Sequence, residues 1–543
     1  MSKTVQNRRE FLRTGAAGLA SLALFQNTRG EMTFDANEPF PELVEVTIAD
    51  LQQKMRSGKL TARRLTEMYI ERIKQIDTKT RSVIEINPDA LAIADQLDKE
   101  RKNKKIRSPL HGIPILIKDN IDTADKMLTT AGSLALVDAP PPNEDAFLVK
   151  QLRKAGVVIL GKTNLSEWAN FRSTRSISGW SGRGGQTNNP YFLELNPCGS
   201  SSGSGVAASA NLAAGAVGTE TNGSIICPAV TNGVVGLKPT VGLISRSGII
   251  PISHTQDTAG PMTRTVADAA AMLNAMAGTD PADPVTADAD KRRAKDYTKF
   301  LDKNGLKGAR LGLLLTPPQR PALAEAWKAF FEPFINKMRE AGATLVEVKF
   351  PDQPQGSGGD QTAVLQWEFK AGVNKYLAAR GSRYKTLEDL IKFNEENKEK
   401  ELPKFGQEIF TQSQARTDLT DKNYLDTLAR MRRSAREDGI DALITQHKLD
   451  ALVRPTGAWG TAAIAGYPSI TVPLGMRDVP AVPAAGNAPA LPSSKQLTGM
   501  FFFGAAWSEP ALIKYAFAFE QLTKGRVVPQ FIPTMPRDKA PAG

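Results

Sequence analysis

The densest chemical signal is the run Asn196-Pro197-Cys198-Gly199-Ser200-Ser201-Ser202-Gly203-Ser204-Gly205, which leads into residues 206–216, almost all Ala, Val, Ser and Leu. A Gly/Ser loop opening into a small-residue helix offers free backbone N–H groups at the helix N-terminus, where an anion or oxyanion is favoured. It lacks the Gly-Lys-Ser/Thr ending of a phosphate loop, which disfavours nucleotide binding. The alternative is a flexible linker, but linkers do not run directly into a helix this close-packed. A second stretch, Gly218-Thr219-Glu220-Thr221-Asn222-Gly223-Ser224, puts Ser224 at a tight turn where Asn222 and Gly223 tolerate positive φ. Consecutive N–H groups at such a turn can converge on one oxyanion, although a purely structural turn has the same spelling. The third stretch, Ile113-Pro114-Ile115-Leu116-Ile117-Lys118, ends an apolar strand on a lysine. Burial depresses the pKa of an ammonium and makes a lysine a candidate general base; a strand-end lysine reaching solvent is the alternative.

These residues need elements to hold them. Residues 47–77 read as a helical hairpin, with Thr47 and Thr61 as N-caps and Leu65, Met68, Tyr69, Ile73 and Ile76 at helical spacing. Short apolar runs then alternate with amphipathic segments at 113–117, 157–160, 234–237, 311–315, 345–350, 452–454, 470–472 and 500–503. Strands alternating with helices predict an α/β fold, with a mostly parallel or mixed sheet covered on both faces. Segments 280–308, 352–361 and 477–496 interrupt the pattern and read as loops or insertions on one body. There is no internal repeat.

Lys118, Gly199-Ser200-Ser201 and Asn222-Gly223-Ser224, in that order and with 24 residues from Ser200 to Ser224, resemble the amidase signature family. Further likenesses are Leu110-His111-Gly112-Ile113-Pro114, Gly161-Lys162-Thr163-Asn164, Gly236-Leu237-Lys238-Pro239-Thr240, residues 257–262 and Ala465-Gly466-Tyr467-Pro468. The resemblance implies a single α/β/α domain around a large mixed, mostly parallel sheet, spanning 31–543. It also implies Ser224 as nucleophile, Ser200 as bridging serine and Lys118 as base, with the N–H groups of Thr221, Asn222, Gly223 and Ser224 as oxyanion hole. The chain departs from the commonest family pattern in having Asn222, Glu220 and Ile226 where many members have Gly, Asp and Arg. The serine loop and residues 179–187 look closest to the bacterial peptide amidase branch, which removes C-terminal peptide amides. On that likeness and on composition, Trp180, Arg183 and the loop 477–496 are expected to line the substrate pocket. A general aliphatic or aryl amidase of the same family is the alternative.

Other machinery fits less well. Gly199-Ser200-Ser201-Ser202-Gly203 also satisfies G-x-S-x-G, with Ser201 as nucleophile and His254 or His447 as base, but Asn196-Pro197-Cys198 is a poor strand end to feed such an elbow. His111 and His254 are expected to be structural or pocket-lining, and His447 a surface residue. The amidotransferase component that amidates aminoacyl-tRNA shares the signature but works in a cytoplasmic complex, which the N-terminus disfavours.

Asn7-Arg8-Arg9-Glu10-Phe11-Leu12-Arg13 and the weakly apolar residues 14–25 resemble a twin-arginine export signal occupying 1–30, which implies a periplasmic or secreted enzyme. The run is too short and Gly/Ala-rich for a stable membrane anchor. Of the net charge of +12 over 543 residues, the first thirty carry +4, and the remaining +8 is scattered among acidic residues, so no nucleic-acid partner is expected. Two cysteines and three histidines show no metal-ligand spacing. No metal and no cofactor are expected, only a small-molecule or peptide amide substrate acted on by a monomer. Cys198 and Cys227 read by default as two buried thiols, with a disulfide open if their loops adjoin.

Overall fold

The computed structural model describes residues 39–351, 357–455, 459–484 and 489–538, with the side chains of 357 and 358 excepted. The expected export signal lies outside them. The chain divides into two units at Val44. In the first, Pro41–Leu43 form one 3₁₀ turn; the second, from Glu45, holds the sheet.

The expected helical hairpin is α1 (Ile48–Arg56) and α2 (Ala62–Thr80). Thr47 caps α1 in a capping box with Asp50, and the Thr61 side chain accepts from the Arg64 N–H. Leu65, Tyr69 and Ile73 bury one stripe of α2.

Thirteen strands follow: β1 (Val83–Ile86), β2 (Pro114–Lys118), β3 (Val158–Thr163), the two-residue β4 (Trp180–Ser181) and β5 (Gly185–Gln186), β6 (Gly215–Glu220), β7 (Val235–Lys238), β8 (Thr258–Thr263), β9 (Arg310–Leu313), β10 (Thr344–Glu347), β11 (Ala451–Pro455), β12 (Ser469–Val479) and β13 (Ser494–Phe503). Apart from the β4–β5 ribbon they form one eleven-stranded sheet, ordered β1-β3-β2-β6-β8-β7-β12-β13-β11-β9-β10. The sheet is mixed, as expected, but not mostly parallel. Four pairings are parallel and six antiparallel. The middle is built by chain reversal: β8 inserts antiparallel between β6 and β7, and β12 and β13 pair over most of their length as a hairpin.

All eight apolar runs became strands of this sheet. Two strands, β6 and β8, lack a hydrophobic signature and carry Gly, Ala and Thr instead, whereas β1, Val83-Ile84-Glu85-Ile86, is apolar but only four residues long. For β6 and β8 the reason is close approach. A Cβ on Gly218 would stand 2.8 Å from Ser201 Oγ, and one on Gly260 would stand 2.0 Å from the Leu237 carbonyl oxygen. The small-residue helix is shorter than its composition suggests: α3 spans Ser202–Ser209, Asn211 turns at φ 57°, and the chain enters β6. Beyond β6 lie α4 (Ile226–Thr231), α5 (Val266–Met276), α6 (Ser357–Ala379), α7 (Lys422–Ala435), α8 (Gly460–Ala465) and α9 (Glu509–Thr523). α6 places Leu365, Phe369, Val373 and Leu377, spaced by four, in an apolar cluster with Trp168 and Phe410. Of the interrupting segments, 477–496 is largely the outer part of the β12–β13 hairpin, and α6 begins within 352–361.

Candidate active site

Lys118 ends β2, which runs parallel between β3 and β6 with all five residues buried. Its Nζ lies 2.8 Å from Ser200 Oγ, 2.9 Å from Thr219 Oγ1 and 3.1 Å from Ser201 Oγ, with the Thr219 carbonyl at 3.4 Å. Burial pulls its pKa from 10.5 to about 7, against the opposing charges of Asp257 and Glu220. The hydroxyls around it are not equivalent. Ser201 donates to the Thr219 carbonyl at 3.0 Å and accepts the Thr219 N–H at 3.1 Å, so its proton is committed. Thr219 Oγ1 already accepts from Asn120 Nδ2 at 3.0 Å. Ser200 Oγ has no partner other than Lys118 among the described residues, which leaves its proton free to move.

Ser224 sits between β6 and α4. Its carbonyl accepts the Ser201 N–H at 3.1 Å, bringing its turn against the serine loop. Among the described residues the hydroxyls of Ser200 and Ser224 share no hydrogen bond, so the structure brings Lys118 and Ser200 into contact and sets Ser224 on the adjoining turn. The turn is held from within by Glu220, whose Oε2 accepts from the Ile225 and Ile226 N–H groups at 2.7 and 3.0 Å. The N–H groups of Thr221, Asn222, Gly223 and Ser224 donate to no protein acceptor among the described residues, four free donors in a row. Gly223 has φ 80°, and a Cβ there would lie 1.8 Å from Trp459 Nε1, so the turn requires glycine. Ile226 is buried in an apolar cluster with Ala462 and Phe501.

Asp257 braces the turn from the start of β8. Its Oδ1 accepts from Thr221 Oγ1 at 2.5 Å, and its Oδ2 takes the Ile252 and Ser253 N–H groups at 2.8 Å each. Burial raises its pKa to about 6 against these hydrogen bonds. Cys198 and Cys227 form a disulfide, correcting the default of two thiols. Their loops adjoin because Asn232 Nδ2 holds the Pro197 carbonyl at 2.8 Å and the Ser201 amide holds Ser224. The bridge thus links the segment before Ser200 to the helix after Ser224.

The expected pocket residues fare unevenly. Trp180 is buried, with its ring edge-on to Phe405 at 5.2 Å, and Arg183 pairs with Glu85 at 2.5 Å and Asp119 at 3.3 Å. Both are engaged within the protein, and neither lines the narrow cavity that Ser200, Thr219, Thr221, Ile250 and Asp257 enclose. Lys495 and Gln496 of the 477–496 segment, with Leu497, Trp459 and Cys227, line a separate cavity of about 290 Å³ that none of Lys118, Ser200 and Ser224 lines. No histidine touches Ser201. His111 Nε2 donates to the Leu97 carbonyl at 2.9 Å, and His254 stands 3.4 Å from the Tyr424 hydroxyl. His447 is half-buried at the end of a short helix, rather than fully at the surface. Sequence reasoning gave Thr219, Asp257, Gln361 and Trp459 no role and weighed Ser201 only as a rival nucleophile. Ser201 and Thr219 sit inside motifs already singled out and Asp257 opens the likeness at 257–262, while Gln361 and Trp459 carry no local signal.

A family model described as Amidase matches residues 64–512. The chain belongs to the amidase signature family. It is a hydrolase of amide C–N bonds. The solved peptide amidase of Stenotrophomonas maltophilia is 49% identical, covering 91% of this chain and 100% of that one with a TM-score of 0.84. An Arabidopsis thaliana protein named "Probable amidase" is 42% identical over 90% of this chain and 92% of its own. A glutamyl-tRNA(Gln) amidotransferase component of Thermoanaerobacter pseudethanolicus is 31% identical over 90% of this chain and 99% of its own. Among the described residues no helix is long and apolar enough to cross a membrane, and no group of three or more His, Cys, Asp or Glu is placed to hold a metal.

Proposed function

We propose that this enzyme removes the C-terminal carboxamide of peptides as ammonia, through an acyl-enzyme on Ser224, using Lys118 and Ser200 as a proton relay and no partner chain. The observation that carries the relay is the buried Lys118 Nζ at 2.8 Å from a Ser200 hydroxyl with no other partner among the described residues. Neutral Lys118 takes the proton of Ser200 as Ser200 takes that of Ser224, and the Ser224 oxygen attacks the carboxamide carbon. The free N–H groups of residues 221–224 receive the oxyanion. The relay then runs backwards and delivers the proton to the leaving nitrogen, without which an amide does not expel ammonia. Water, deprotonated by the same pair, releases the acid.

The peptide-amide assignment draws support from the serine loop and from the likeness to a solved peptide amidase. A panel of amides assayed with purified protein, without ATP, tests it. Peptide amides should lose only their terminal ammonia, with internal bonds intact; faster turnover of simple aliphatic or aryl amides reassigns the enzyme as a general amidase. We also read residues 1–30 as a twin-arginine signal delivering the enzyme to the periplasm or beyond. Replacing Arg8 and Arg9 together by Lys should then retain the activity in the cytoplasm, and unchanged export refutes that reading.

A further inference from the structure

Two primary amides lying side by side can form a closed pair with two hydrogen bonds. Asn222 and Gln361 form only one: Asn222 Nδ2 donates to Gln361 Oε1 at 2.9 Å. The other half of the couple, Asn222 Oδ1 and Gln361 Nε2, is buried with no partner among the described residues. Interchanging oxygen and nitrogen on both side chains leaves the count the same, one orphaned acceptor and one orphaned donor. Buried polar groups are rarely left so, because each carries its full desolvation penalty.

The location gives these orphans a meaning. Asn222 lies two residues before Ser224, within the run of four free N–H groups. Gln361 lies in α6, and α6 is fixed to the same turn by a second route. Glu368, two turns further along, accepts from Ser253 Oγ and from Thr255 Oγ1, the latter at 3.0 Å. The Ser253 amide in turn binds Asp257, which holds Thr221. The pair is therefore built into the nucleophile turn.

We propose that Asn222 and Gln361 read the substrate's amide groups at two points, Asn222 accepting from the leaving –NH₂ and Gln361 donating to the carbonyl of the preceding peptide unit. This rests on the peptide-amide function proposed above. A peptide amide supplies an N–H on its leaving nitrogen and a C=O on the preceding peptide unit, the two groups the orphans lack. An ester has no N–H for Asn222. A simple alkanamide has no second carbonyl for Gln361. The product carboxylate sets an oxygen against Asn222 Oδ1, which favours its release. Sites that hydrogen-bond a substrate group reject analogues lacking it, because the site's own polar groups are then left unpaired.

The test uses the full purified chain and three probes: N-acetylphenylalanine amide, N-acetylphenylalanine methyl ester and 3-phenylpropionamide, each measured as kcat/KM. If the parent enzyme cleaves 3-phenylpropionamide faster than the acetylated amide, the proposed function fails, whatever the pair does. Given a parent that prefers the acetylated amide, Asn222→Leu should lower the amide-to-ester ratio, and Gln361→Leu should lower the ratio of acetylated amide to alkanamide, each about three- to tenfold, the worth of one hydrogen bond. Asn222→Asp keeps an acceptor and should restore the amide-to-ester ratio. General damage to the turn lowers all three probes together and leaves the ratios alone. Should Asn222→Leu fail to fold, as read by its thermal melt, Asn222→Ala takes its place. Either ratio staying within twofold of the parent's in a folded variant overturns the proposal.

Discussion

The ends of β2 and β3 carry two lysines one register step apart, Lys118 opposite Thr163 and Lys162 opposite Ile117, so the pleat sends their side chains to opposite faces of the sheet. Both are fully buried, and burial lowers the pKa of each. Their partners differ. Lys162 donates to the Ile121 carbonyl at 2.5 Å and to Thr129 Oγ1 at 2.9 Å, among the opposing charges of Asp119, Asp122, Asp125 and Glu85. Lys118 meets three hydroxyls, and the opposing charges acting on it are those of Asp257 and Glu220. The Ile121 carbonyl has no proton to give, Thr129 Oγ1 already donates its own to that carbonyl at 3.3 Å, and the surrounding carboxylates favour the ammonium form. A hydroxyl can pass its proton on, and with few carboxylates the amine is neutral over a wider pH range. Burial alone does not make a base; a partner with a movable proton is also needed.

The largest expected effect separates the two positions. Lys118→Met should lower kcat by ~10²–10⁴-fold, the usual worth of general acid-base assistance, and Ser224→Ala should abolish acyl-enzyme formation altogether. Lys162→Met should leave kcat per folded molecule within a few-fold of the parent while costing about 1–3 kcal/mol of stability for its stranded acceptors. Steady-state rates and denaturant melts on both variants decide it. Comparable rate losses at the two positions would erase the distinction.

The pH dependence sharpens the same contrast. Because the proposed relay begins with neutral Lys118, kcat/KM should fall about tenfold per pH unit below the value of about 7 at which that lysine gains its proton. For stability the sign follows from proton counting. The pKa of Lys118 is lowered in the folded state, so between about 7 and 10.5 the unfolded chain binds more protons and stability rises with pH. Below that window both states are protonated and the penalty is constant. Lys118→Met should remove this rise, measurable as a flatter dependence of melting temperature on pH.

How much of this was legible in the sequence depends on the kind of signal. Lys118, Ser200 and Ser224 stood out because a charged residue after an apolar run and glycine-punctuated serine loops are local patterns, and their order resembled a family. The eight apolar runs located most of the sheet. β6 and β8 escaped because close approach to the serine loop and to β7 leaves room only for small side chains there, which erases the hydrophobic signature. The Asn222–Gln361 bond spans 139 positions, and Trp459 covers Gly223 from a different segment, so neither could be read locally. The same limit applied to Cys198 and Cys227, whose loops meet only through tertiary hydrogen bonds.

That meeting yields a smaller expected effect. Replacing both cysteines by Ser should cost about 2–4 kcal/mol of stability, typical for a removed disulfide. The rate should fall less than tenfold, since Asn232 and the Ser201–Ser224 backbone bond still join the loops. A kcat loss as large as that of Lys118→Met would mean that the bridge, and not the hydroxyl shell, sets the relay geometry.

The smallest effect belongs to the histidines. Neutral imidazole is the usual base for a serine nucleophile, so a buried lysine in that role has to be distinguished from it by more than its own removal. His447 ends a short helix, and its side chain takes no hydrogen bond among the described residues; only its carbonyl is used, by Arg310 Nε at 2.9 Å. His447→Ala keeps that carbonyl and should change kcat/KM by less than twofold at every pH. In particular it should leave the acidic limb where it stands, since the proposed base is Lys118. A limb that moved, or a rate that collapsed while the variant stayed folded, would assign the base to a histidine and leave Lys118, like Lys162, a buried structural cation.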